Sequence, residues 1–217
     1  MTRQDQLEQW ARSAPSEAVV MHVATQTTLG WSAEMVDTAL ATLRRREPFY
    51  MDSERWVNPW ARVGPETIAA QLFPQGYLSG EWALAWHGCL SQQPTRLMIV
   101  DATHPAASPQ VLAGVWSIEC LPPLFEEPPE LVYPPDSLPI ADAARALVEW
   151  TVYRWQSRQG SRDELANFLD DCDRDVVDAT LQRLVNDSPS ASIRQLAQTI
   201  LETWPDDSRW PSSSQTL

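Results

Sequence analysis

The sequence predicts an α+β chain, and three observations carry that prediction. The first third is patterned as helices closed by a strand pair, the middle holds two short strand-like runs, and the last third returns to helical periodicity. The expected organisation is an N-terminal winged helix-turn-helix over residues 1–62, then a central α/β portion with a small sheet, one helix and a proline-rich connector over 63–139. A C-terminal helical region over 140–204 follows, with a disordered tail over 205–217.

Each element has its reason. "RQDQLEQWARS" is a short amphipathic helix. "SEAVVMHVATQTTLGWSAEMVDTALATLRRRE" reads as helix, tight turn, helix, with Gly30 ending the first in the left-handed conformation and Ser32 capping the second. Met35, Val36, Leu40 and Leu43 recur at helical spacing and should face the core. "FYM" and "RWV" flank the turn-forming "DSE" and suggest a hairpin. Helix, turn, helix and hairpin is the order of a winged DNA-binding module.

Further on, Ser79 can cap a helix that carries Glu81 in its first turn, Trp82 and Trp86 one turn apart, and Gly88 at its end. "TRLMIV" is apolar enough for a strand buried on both faces. "GVWSIEC" alternates, with Trp116, Ile118 and Cys120 on one side, and should join the same sheet. Residues 121–139 hold seven of the 18 prolines, which excludes a helix and disfavours a central strand. They read as an ordered acidic connector anchored by Leu124, Phe125, Leu131, Val132 and Tyr133. "ADAARALVEWTVYRW", "SRDELANFLDD", "DRDVVDATLQRLV" and "SASIRQLAQTILETW" then predict four helices.

Composition narrows the function. A chain of 217 residues with 43% hydrophobic content and 11 Trp can fill a core. The net charge of −13 argues against a surface that coats nucleic acid throughout. All 16 cations are arginine, and residues 1–62 are the least acidic third, so a nucleic-acid surface should lie there. Cys89, Cys120 and Cys172 are too widely spaced for a disulfide framework or a zinc cluster, which fits a reduced cytoplasm. The polar start and the lack of a long apolar run predict neither export nor membrane insertion.

No catalytic motif stands out. His87 and Cys89 would need mutual contact and a third group to orient the imidazole, and spacing supplies none; a histidine in a helix's last turn is favoured by the macrodipole. His22 and His104 lack ligand-like companions, so no metal is expected. "DDCDRDVVD" resembles a calcium loop, but Val176 and Gln182 stand where that loop needs glycine and glutamate. Asp173 is better read as a helix cap. No glycine-rich phosphate loop is present, and no cofactor is expected. As phosphate ligands, Arg44, Arg45, Arg46 and Arg55 are the candidates, with Ser32, Thr38 and Thr42 near the groove. Glu34 and Asp37 sit where base-reading residues normally start.

"YLSGEWALAWHGCLSQQPTRLMIV" resembles the central signature of the AbiEi family of antitoxins, from type IV toxin–antitoxin systems that abort phage infection. Tyr77, Ser79, Ala83, Leu84, His87, Gly88, Gln93, Pro94 and Val100 carry the likeness. "LPIADAARALVEW" resembles a later family motif through Ile140, Ala141, Ala146, Leu147 and Glu149, although Ala143 and Ala144 stand where Pro-Glu is usual. The likeness spans about residues 15–185. It implies a cytoplasmic transcriptional autoregulator, not an enzyme. The winged domain would bind operator DNA, and the C-terminal domain would counter a nucleotidyltransferase-like toxin. The alternative is an acidic protein-interaction module of phage defence that has kept the fold, lost DNA binding and engages a basic partner.

Overall fold

The computed structural model describes residues 2–90, 92–103, 110–127, 129–156 and 173–203. The expected helix "SRDELANFLDD", His104, Cys172 and the tail lie outside the described residues. The fold is α+β, and among the described residues no helix is long and apolar enough to cross a membrane. The chain divides into two compact units, the first built from Met1–Leu78, Pro94–Pro122 and Val132–Ile140, the second from Ser79–Gln93, Pro123–Leu131 and Ala141–Leu217.

In the first unit α1 (Arg3–Ser13) starts in a capping box. Thr2 Oγ1 accepts from Asp5 N–H at 3.2 Å while Asp5 Oδ2 accepts from Thr2 N–H at 2.8 Å. The single helix expected before Gly30 is instead a strand, β1 (Val19–Met21), followed by α2 (His22–Leu29). The valine pair favours extended backbone, and β2 (Arg55–Val57) offers an antiparallel partner with Val20 opposite Trp56. Local helical patterning loses to that pairing.

Gly30 ends α2 at φ 67°, and the N–H of Trp31 closes the turn on the carbonyl of Gln26 at 3.0 Å. Ser32 Oγ then accepts from Met35 N–H at 3.4 Å and caps α3 (Ala33–Arg46). Val36, Leu40 and Leu43 are fully buried as expected, and Met35 is half-buried. The hairpin forms around Asp52: Val57 N–H reaches the Tyr50 carbonyl at 2.9 Å, and Met51 bridges Trp56. Trp56 fills the centre of the unit. It is fully buried against Phe49 and Trp10, at centroid distances of 5.7 and 6.1 Å, and its indole N–H donates to Thr25 Oγ1 at 3.1 Å. Beyond it α4 (Pro65–Leu72) opens with proline in the first turn.

A six-stranded sheet is formed by β3 (Tyr77–Ser79), β4 (Arg96–Val100), β5 (Gln110–Ala113), β6 (Trp116–Leu121), β7 (Leu131–Val132) and β8 (Ile140–Ala141). Its order is β5-β6-β4-β3-β8-β7. β4 and β6 are the two strands the sequence predicts, and they pair in parallel with Ile99 opposite Cys120. β3, β5, β7 and β8 are short and carry too few residues for a readable period. In the connector Leu124 is buried as expected, but Val132 and Tyr133 are 43% and 73% exposed, and Leu138 takes the buried place.

In the second unit α5 (Gly80–Trp86) ends at Gly88, φ 79°, where Cys89 N–H returns to the Leu84 carbonyl at 2.9 Å. Trp82 is buried whereas Trp86 is exposed. The expected Ser79 cap does not form, because its hydroxyl is drawn to Glu149 of α6 (Ala143–Gln156). Asp173 caps α7 (Arg174–Asp187) as expected, accepting from Asp175 N–H at 3.1 Å, and α8 (Ala191–Thr203) follows.

Candidate nucleic-acid interface

The α2–α3 connection holds three residues, Gly30, Trp31 and Ser32, a tight corner set by a left-handed glycine and a serine cap. α3 buries one stripe and leaves the opposite face open, with Glu34, Asp37, Thr38, Ala41, Arg44 and Arg45 all exposed along it. Charge on this face is segregated, acid in the first half and arginine in the last turn. That order suits the macrodipole at both ends and favours the helix by a few tenths of a kcal/mol per charge to about 1 kcal/mol.

The candidate residues fall into three groups. Arg44 and Arg45 are exposed and, among the described residues, form no ion pair, so their guanidinium groups are available to phosphate. Arg46 lies on the other side of the helix, with Nη1 3.6 Å from Glu8 Oε2 of α1. Arg55 is turned inward. Its Nε and Nη2 donate to Asp52 Oδ2 at 3.2 and 3.1 Å, and its Nη1 donates to the Leu72 carbonyl at 2.9 Å. All its nitrogens are therefore engaged within the fold, and it is the weakest of the four as a phosphate ligand.

Ser32 and Thr42 are partly committed as well. Ser32 is the cap, and Thr42 Oγ1 donates back to the Thr38 carbonyl at 2.8 Å. Thr38 and Thr42 line a groove of about 480 Å³ shared with Thr2, Arg3 and Gln4. On the other flank His22 Nδ1 lies 3.3 Å from Asp37 Oδ1 and ties α2 to α3.

Asp52 organises the hairpin electrostatically. Its partial burial would raise its pKa, but the N–H groups of Glu54 and Arg55, together with the Arg55 guanidinium, outweigh that and hold the carboxyl below its ordinary range. Tyr50 is shifted up by burial and by the Asp52 charge.

The second unit contains polar chemistry that sequence reasoning missed. Glu149 is fully buried, accepting from Ser79 Oγ at 2.6 Å through one oxygen and from Arg145 Nε at 2.7 Å through the other. Arg145 is 4% exposed, its guanidinium 3.4 Å above the Phe125 ring, and Nη2 donates to the Glu127 carbonyl at 3.3 Å. The signal was legible: arginine and glutamate four residues apart inside the otherwise apolar "AARALVEW". Burial pushes the Tyr153 phenol far up, with the Glu149 charge adding to it.

His87 and Cys89 sit differently. The imidazole is exposed and its Nε2–H meets the Ala141 carbonyl at 2.9 Å, while Cys89 is 4% exposed. Cys120 is buried, and burial with the nearby Asp101 charge pushes its thiol up to about 12, so the reactive thiolate is suppressed at neutral pH. Among the described residues no cluster of three or more His, Cys, Asp or Glu is placed to hold a metal ion.

Compared with known proteins, the chain matches no family model and no curated protein.

Proposed function

We propose that residues 1–62, within the first unit, form a winged helix-turn-helix module and that the chain is an antitoxin-like transcriptional autoregulator. It would bind operator DNA through α3 and counter a nucleotidyltransferase-like toxin. The observation that carries the DNA reading is the three-residue Gly30–Ser32 corner, which leads into a helix open along one face and ending in the exposed Arg44 and Arg45. The order α1, β1, α2, α3, hairpin supports it. The toxin-directed role rests on the resemblance of residues 77–100 and 138–150 to AbiEi antitoxins.

Fluorescence anisotropy on the DNA upstream of the chain's own gene, against scrambled DNA and across a salt series, tests the reading. Sequence-dependent binding with a steep salt slope is expected. No binding at low salt removes it.

A second reading is favoured by Glu34 and Asp37, which place negative charge at the start of α3 where a DNA reader contacts bases. On that reading the chain is an acidic interaction module for a basic protein, steered by its net charge of −13. Pull-down of the purified cognate toxin, lost at high salt, is its expected result.

A further inference from the structure

The open face of α3 is complementary to itself. Ala41 lies at its centre, a small exposed residue that lets another helix approach closely. Glu34 and Arg45 project to one side of Ala41 on the helical wheel, and Asp37 and Arg44 to the other. The interval from Glu34 to Arg45 and the interval from Asp37 to Arg44 have their midpoints half a residue to either side of Leu40.

These two properties are what a two-fold axis perpendicular to a pair of antiparallel helices requires. The axis keeps each residue on its own side of the line where the helices meet and reverses position along the helix. Glu34 of one copy then meets Arg45 of the other, Asp37 meets Arg44, and the axis repeats both pairs.

We propose that α3 is the contact element of a symmetric dimer in which two copies of this chain pair their α3 helices antiparallel through these charges. The occupant is a second copy because the acidic half of the face finds its complement in the basic half of the same face. DNA complements only the basic half, and a basic protein only the acidic half. Asp37 stays available because it is 63% exposed while it neighbours His22, and Arg46, already beside Glu8, lies outside the interface. The pairs are solvent-exposed, so the dimer is weak and salt-sensitive.

Under the DNA reading this dimer covers Arg44 and Arg45, so operator DNA and the second copy compete for α3. That consequence alone rests on the DNA reading. The test below contains no DNA.

Sedimentation equilibrium of the full chain should show a monomer–dimer equilibrium at low ionic strength that shifts to monomer at about 1 M salt, where the Debye length falls to about 3 Å. Glu34→Arg with Asp37→Arg should weaken self-association by at least about tenfold, and so should Arg44→Glu with Arg45→Glu. An equimolar mixture of the two variants should restore the dimer, a result that loss of folding cannot imitate. Ala41→Glu, which sets like charges against each other at the axis without touching the core, should also give monomer. Wild-type chain that stays monomeric at low salt overturns the proposal. So does a dimer that ignores both charge reversals, or a mixture that does not recover it.

Discussion

Helices α3 and α6 are each 14 residues long and both carry arginine and glutamate. α3 holds its charges on the solvent side, acid first and arginine last, where they complement the helix dipole and remain able to meet another molecule. α6 buries Arg145 and Glu149, and each is satisfied on several sides: the carboxylate by Ser79 and Arg145, the guanidinium by the Phe125 ring and the Glu127 carbonyl as well. Exposed charge costs little to keep and little to remove. Buried charge makes the unit that contains it intolerant of losing one partner. The difference leaves the charges of α3 open to solvent and makes those of α6 part of the packed interior.

The largest effect is expected where that contrast is sharpest. Glu149→Ala strands Arg145 in an apolar setting and should lower stability by about 3–5 kcal/mol in chemical denaturation. Arg145→Met with Glu149→Leu, which removes both charges at similar volume, should recover most of the loss. If the double variant is as damaged as the single one, the pair is positioning the 123–131 segment rather than only compensating itself.

Asp52 should come second. Asp52→Ala removes the carboxylate oxygen that accepts from two backbone N–H groups and the partner of Arg55, at about 1–3 kcal/mol. Because its folded pKa lies below the unfolded one, its contribution is complete above the ordinary carboxylate range and fades as pH falls through the depressed folded value. The stability gap between wild type and variant should therefore narrow in acid, and a gap that widens would contradict the assignment.

Gly30→Ala should cost about 1–2 kcal/mol, measured as a shift in the unfolding midpoint. The cost is purely that of a left-handed φ, since an added Cβ would have nothing within 4 Å. The smallest effect on folding belongs to Arg44→Ala with Arg45→Ala, about 1 kcal/mol or less, since each exposed charge taken from the last turn costs a few tenths of a kcal/mol. On the DNA reading the same variant should flatten the salt slope of binding by about one for each phosphate that is no longer neutralised. An unchanged slope would take both residues out of the interface.

Much of the first unit is legible in its local pattern alone. The α1 periodicity, the Gly30 stop, the Ser32 cap and the buried stripe Val36–Leu40–Leu43 are decided by residues within a turn or two of one another. The same holds for β4 and β6, whose apolar run and alternation are long enough to carry a period, and for Asp173 at the start of α7.

Other features are not local. Val19–Met21 is a strand because Arg55–Val57, more than 30 residues away, offers it a partner. Ser79 makes no cap because its hydroxyl is turned towards Glu149, 70 residues on, and donates to that buried carboxylate. Arg55 reads in the sequence like a cation on a wing, yet the fold turns it inward onto Asp52 and Leu72.

The sequence by itself determined the class of the fold, the helix boundaries marked by caps and glycines, and the charge order along α3, because each is set by near neighbours on one element. Only the tertiary structure decided which charges face water and which are buried and paired. Desolvation depends on what packs against a side chain, and that is supplied by segments far away along the chain.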